Sequence, residues 1–225
     1  MALVMSWMPA ASTSFTCATD TAPPACDASN AGKGLASLGL SSRGLRASSC
    51  AVSVAQVNEV LAAGIQDITN AMVESFQLND VLRMILETMF RALGFRRMVF
   101  CLREARTDQL TGRFGLGEGS EAVVRAMKVP LNVPGDLFTA VCLRGADTLI
   151  NDATEPRISA RLPRRYVEGV SAPSFLLLPL QMKGQPFALI YADQAVPGGI
   201  VVDDKALGLL RTLRNQAVMA FRQAG

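Results

Sequence analysis

Residues 174–194 read SFLLLPLQMKGQPFALIYADQ. Two apolar runs, Ser174–Met182 and Pro186–Asp193, flank the pair Lys183-Gly184. Runs of this length fit strands better than helices, and a short link containing glycine fits a hairpin turn. Both runs are rich in apolar residues throughout, as expected for central strands of a sheet covered on both faces. An antiparallel hairpin at the centre of a covered sheet is therefore the anchor of the fold.

Working upstream, Thr148–Ile150 reads as a short strand and Asp136–Leu143 as a short helix. Lys128–Leu131 reads as a strand ended by a Pro134-Gly135 turn, and Ser120 is placed to cap a helix over EAVVRAM. The stretches FRRMVFCLR (95–103) and QLTGRFG (109–115) pair as a hairpin through Thr107-Asp108, with Met98, Phe100 and Leu102 on one face. Gly112, Gly115, Gly117 and Gly119 lack the ending of a phosphate-binding loop and read as turn and strand-edge glycines. Further upstream, Val54, Val57, Leu61, Ile65, Ile68, Met72 and Phe76 recur at helical spacing and predict a helix over 54–76. A second helix is expected from Asn79 as N-cap, with Asp80 in its first turn and Gly94 at its end. Downstream, Asp203 or Asp204 caps a helix through Gln223 that gathers Leu207, Leu210, Leu213, Ala217 and Phe221 on one side. Two helices, then strands, then a helix is an α+β order.

The 225 residues carry 22 Lys+Arg against 19 Asp+Glu, a net charge of +3, too small a surplus for a nucleic-acid partner. There is no histidine, which excludes Ser-His-Asp and Cys-His nucleophiles, His-ligated zinc or haem, and an imidazole switch. Five cysteines, at 17, 26, 50, 101 and 142, form no CxxC pair, so neither a metal site nor a disulfide framework is expected. Scattered reduced thiols suit a cytoplasmic protein. No apolar run is long enough for a membrane span, and MALVMSWMPA lacks the basic start of a secretory signal. Residues 1–52, dominated by Ala, Ser, Thr, Gly and Pro, are expected to be a disordered or low-complexity segment, a natural extension or a mis-started or fragmentary reading. Residues 53–225 are expected to form one domain.

Three stretches make that domain resemble a GAF domain: ALGFRRMVFCLRE (92–104), LINDATEPRISARLP (149–163) and the hairpin quoted above. In detail, 65–95 and 210–221 look like the GAF half that follows an HDOD domain in some bacterial signalling proteins. The resemblance implies a GAF/PAS-like antiparallel sheet of about six strands, helices on both faces, and long N- and C-terminal helices packed together. It implies a regulatory small-molecule pocket and a homodimer, with an HDOD-type or other signalling domain as partner. It does not imply catalysis, and no catalytic residue, metal ligand or cofactor is assigned. The Asn-Lys and Asp-Glu pairs that mark cyclic-nucleotide binders are missing, as is the histidine commonly beside a bilin-binding cysteine.

Four residues are candidates for the pocket. Asp152 follows a strand end at the pocket rim, where it could accept hydrogen bonds from a ligand or cap the helix near Glu155-Pro156. Arg157 and Arg161, with Arg164 and Arg165, would share a helical face able to hold an anion, or would form a solvated surface; Pro163 interrupts them. Tyr166 could stack on a planar ligand or pack inside. Three functions follow. The leading one is a sensory module that binds a small molecule or relays a partner's signal through a helical dimer interface. The second is a ligand-free dimerisation scaffold, its pocket filled by side chains such as Met98 and Met127. The third is a thiol enzyme using Cys101 and Cys142, against which buried inert thiols are set.

Overall fold

Alternation along each strand decides which of two cores a side chain enters. The computed structural model describes residues 53–74, 77–132 and 135–224. The expectations for residues 1–52, Phe76 and Pro134 lie outside them. Helices α1 (Val54–Val73) and α2 (Leu78–Leu93) lead into strands β1 (Arg97–Glu104) and β2 (Gln109–Gly117). Then come α3 (Ser120–Ala126), β3 (Lys128–Pro130), α4 (Leu137–Arg144), β4 (Thr148–Ile150), α5 (Pro156–Ser159) and α6 (Arg164–Gly169). The hairpin β5 (Ser174–Met182) and β6 (Gln185–Gln194) precedes α7 (Asp204–Ala224). The six strands form one sheet, in the order β3-β2-β1-β6-β5-β4, every neighbouring pair antiparallel. The edge strands β3 and β4 are three residues each.

The quoted hairpin is the centre of this sheet's second half. Lys183 and Gly184 both take positive φ, 53° and 74°, the backbone that a two-residue hairpin with matching strand twist requires. Leu176, Leu178 and Leu180 of β5, Ala188, Ile190 and Ala192 of β6, and Met98 and Phe100 of β1 face a layer made by α1, α2 and α7. Phe175 and Leu177, Leu189 and Tyr191, and Val99 and Cys101 face the opposite way, toward α3 to α6. Each central strand is thus wetted on neither face, which is why its sequence is almost continuously apolar.

The terminal helices build the first layer. Ser53 and Gln56 form a reciprocal capping box, with the Ser53 hydroxyl accepting from the Gln56 N–H at 3.2 Å. Val57, Leu61 and Ile68 are buried against the same core as Leu210, Leu213 and Ala217 of α7. Gln216 donates to the Ile65 carbonyl and to Thr69 Oγ1, at 3.2 and 2.7 Å, tying α7 to α1. The α1 seam is therefore spent inside the chain, and Val54, expected on it, is 46% exposed.

Several local expectations are corrected. α1 ends at Val73, short of the predicted 76. α2 starts at Leu78, with Gln77 as N-cap, because burying Leu78 pulls the first turn forward; the Gln77 carbonyl accepts from Asp80 and Val81 N–H. Asn79 lies inside that turn, whereas Gly94 does end the helix in the left-handed region. Ser120 is the first residue of α3 and is buried, the cap position being taken by Gly119. Gly112 and Gly115 serve close approach rather than a turn: a Cβ on Gly112 would sit 2.4 Å from the Val124 carbonyl, so the gap lets α3 lie on β2. Met98 faces the layer of terminal helices and Met127 the other core, so they do not fill one space together.

Candidate functional site

The face of the sheet under α3–α6 is where the resemblance places a pocket. Asp136 caps α4 by accepting from the Thr139 N–H at 2.8 Å, which sets Phe138 over the sheet. Phe175 and Tyr191 rise from β5 and β6, and Tyr166 enters from α6. All four rings are buried. Ring centroids lie 5.2 Å apart for Phe138 and Tyr166, 5.5 Å for Phe138 and Phe175, and 5.1 Å for Tyr166 and Phe175. Tyr191 meets Tyr166 edge-on at 6.1 Å. Such tilted and offset contacts suit the ring quadrupoles. Beside them a void of about 10 Å³ remains, bordered by Met127, Phe138, Arg165, Tyr166 and Val170.

A polar floor runs under the rings. Arg97, at the start of β1, and Asp193, near the end of β6, face each other across paired strands. Arg97 Nε donates to both Asp193 oxygens at 3.1 and 3.0 Å, and its Nη2 lies 2.8 Å from Oδ2. Nη2 also donates to the Val170 carbonyl at 3.2 Å. The Tyr191 hydroxyl donates to Asp193 Oδ2 at 2.7 Å. The Tyr166 hydroxyl donates to the Ala172 carbonyl at 3.1 Å and lies 3.4 Å from the Tyr191 hydroxyl. Burial is the main cause that pushes both phenols above their ordinary range, so both stay protonated.

Cys101 and Cys142 lie within this core and are fully buried. Burial raises the Cys101 thiol first, and Cys142 adds to it. Burial pushes Cys142 up to about 12, with the Asp136 carboxylate adding to it. Neither is a thiolate near neutrality, the state a nucleophilic or redox thiol needs. Among the described residues no group of acidic or cysteine side chains could hold a metal ion.

The predicted site residues separate. Asp152 closes a local turn, accepting from the Thr154 N–H at 2.8 Å and its hydroxyl at 2.6 Å; these bonds, the hydroxyl's first, lower its carboxyl below the usual range. It does not cap α5, whose N-cap is Glu155. The arginines do not share a helical face, because the chain breaks into α5 and α6 around Pro163. Arg157 and Arg161 are exposed, Arg164 pairs with Glu168 at 2.8 Å, and Arg165 reaches Asp136 at 3.9 Å. Only Tyr166 enters the core.

Sequence reasoning missed Arg97, Phe138, Phe175, Tyr191 and Asp193 as one constellation. A signal was present: Tyr191 and Asp193 stand two apart in an apolar strand, so they share a face, and a carboxylate there needs a partner. It also missed Asp147, between α4 and β4. Its carboxylate is nearly buried and accepts from Arg211 Nε at 2.7 Å and from Arg214 Nη1. Gln181 of β5 meanwhile donates to the Cys142 and Leu143 carbonyls, at 3.0 and 3.2 Å, at the end of α4. The helix that carries Phe138 is thereby fastened to the sheet and, through Asp147, to α7.

The fold is shared by solved structures. The GAF domain of an Acinetobacter phosphoenolpyruvate-protein phosphotransferase superposes with a TM-score of 0.58 at 19% identity, over 74% of this chain and 92% of that one. A free methionine-R-sulfoxide reductase from Neisseria meningitidis, solved with its substrate, gives 0.56 at 18% identity, over 76% and 93%. Residues 122 to 287 of a methyl-accepting chemotaxis protein give 0.55 at 19% identity, over 72% and 95%. No curated protein sequence matches. The GAF domain profile matches residues 77–221, from the residue capping α2 to the last turns of α7. With that match across the six-stranded antiparallel sheet and its flanking helices, the chain belongs to the GAF domain family.

Proposed function

We propose that the chain is a non-catalytic regulatory GAF module of a bacterial, cytoplasmic signalling system. It senses a small molecule or a partner on the aromatic face and passes that state to its terminal helices. The observation that carries this reading is the Asp147 bridge. A nearly buried carboxylate just after α4 holds two arginines of α7, on the far side of the sheet from Phe138. A shift of α4 then changes the energy of the helical layer, which gives the two faces a physical coupling. The protonated thiols oppose catalysis by cysteine. The relay ends in a homodimer through α1 and α7, or in an HDOD-type or other signalling domain. Val54, Val60, Val73 and Met219 are exposed on those helices and available to such a contact. Neither nucleic acid nor membrane is a partner in this reading.

The ligand-free scaffold is the second reading, favoured by the void of only about 10 Å³. Native mass spectrometry of the full chain, with hydrogen exchange of Asp147→Ala, tests both. The sensor reading expects a dimer that carries or accepts a small molecule. It also expects faster exchange in 137–150 and 204–224 together in the variant. A dimer that takes up nothing from a metabolite panel selects the scaffold. Exchange in the variant altered only at residue 147 and its immediate neighbours refutes the relay.

A further inference from the structure

Tyr166 stands apart from the other three rings by the element that carries it. It is the single buried residue of α6. Arg164, Val167, Glu168 and Gly169 around it are exposed. The side chain is nevertheless 3% exposed and borders the void of about 10 Å³. Its walls belong to other elements: Phe175 and Tyr191 to the central hairpin, Phe138 to a capped helix held by Gln181. The residues after α6 turn back on it, with Val170 and Ser171 N–H both donating to the Tyr166 carbonyl at 2.9 Å.

We propose that Tyr166 occupies a ligand seat in place of the ligand, and that the seat takes a neutral planar ring bearing one hydroxyl, a phenol. This rests on the reading of the chain as a sensor. The ring specificity follows from the three aromatic walls, which leave a slot one ring wide when Tyr166 swings out with α6. The hydroxyl specificity follows from proton bookkeeping. The Tyr191 hydroxyl directs its one hydrogen to Asp193, so toward the slot its oxygen can only accept. The Ala172 carbonyl, now satisfied by Tyr166, also only accepts. A newcomer must therefore bring a donor to that end of the slot. A carboxylate or a carbonyl would meet these two acceptors with nothing to donate to them.

The probe is p-cresol, which is the tyrosine side chain without its backbone; toluene lacks the hydroxyl and 4-methylanisole lacks only the donor. Each is titrated into the full chain and into Tyr166→Ala by ligand-observed NMR. Removing the plug abolishes the closing equilibrium that lowers apparent affinity. Tyr166→Ala should bind p-cresol at least tenfold tighter than the unaltered chain does, and at least tenfold tighter than it binds either control. In the unaltered chain, saturating p-cresol should speed amide exchange across 164–171. A folded Tyr166→Ala that does not prefer p-cresol to toluene overturns the proposal. So does unaltered exchange in 164–171 at saturation, which decides alone if the variant fails to fold. Faster exchange in 164–171 with none in 54–73 and 204–224 upholds the seat while removing the relay to the terminal helices.

Discussion

Replacing Asp193 by alanine is expected to destabilise the domain by about 3–5 kcal/mol, the cost of leaving a buried charge without its partner. Asp193 is fully buried and the Arg97 side chain is 9% exposed, so water cannot substitute for the lost carboxylate. With charge centres about 4 Å apart and an effective dielectric of about 20, the pair contributes about 4 kcal/mol of attraction. That gain is offset in the intact protein by desolvation of both ions, so the pair itself adds little net stability. The truncation is costly because only one side of that balance is removed: the guanidinium stays buried with the Val170 carbonyl as its remaining acceptor, and the Tyr191 hydroxyl loses its acceptor at 2.7 Å. Urea unfolding followed by circular dichroism checks it. At a slope of about 2 kcal/mol per molar, the midpoint should fall by about 2 M. The apolar double replacement Arg97→Met with Asp193→Leu should recover most of the loss, because it leaves no charge to strand. A midpoint for Asp193→Ala within 0.5 M (about 1 kcal/mol) of the unaltered protein would refute this reasoning. A double variant as unstable as the single one would do the same.

Two further outcomes follow from the buried core. Cys142 is held at about 12 against an ordinary 9.0, and Cys101 and both phenols are raised as well. The unfolded chain therefore releases protons first as pH rises, so stability is intact below about pH 9 and is lost above about pH 9 for the thiols and about pH 10 for the phenols, by up to about 1.4 kcal/mol per pH unit for each group. Midpoints unchanged between pH 8 and pH 11 would contradict this, as would iodoacetamide labelling of Cys101 or Cys142 in the folded protein at the rate of a free thiol. Gly112→Ala should lift α3 from β2, since its Cβ would meet the Val124 backbone at 2.4–3.0 Å. We expect a loss of about 1–3 kcal/mol, typical of overpacking, read as a lower thermal midpoint; an unchanged midpoint would show that α3 shifts freely.

Elements whose burial is dictated by local pattern were legible in the sequence. The hairpin 174–194, the helical stripe in α1 and the Gly94 stop needed only periodicity and backbone preference. Helix starts were less legible, because Leu78 and Ser120 are drawn into their helices by burial that depends on distant partners. The candidate site divides in the same way. Tyr166 was singled out by its rarity and its place after the basic stretch. The residues that give it meaning, Phe138, Phe175, Tyr191 and the Arg97–Asp193 pair, converge from four separate elements. Arg97 and Asp193 are 96 positions apart in sequence, and strand pairing alone brings them opposite. The arginines do not gather as a group because the chain breaks at Pro163, where the sequence already interrupts the face: Arg164 turns to Glu168, Arg165 to Asp136, and Arg157 and Arg161 to solvent.

The short edge strands limit how this protein can meet others. β3 ends in Pro130, which has no N–H to offer, and β4 is only three residues long. Neither edge presents a row of free backbone groups on which a foreign strand could add itself. Backbone templating, the least selective way for two chains to join, is thereby disfavoured at these two described edges. A companion that meets them is chosen by side-chain chemistry, and a change of partner there can be written in a few surface substitutions without touching the sheet.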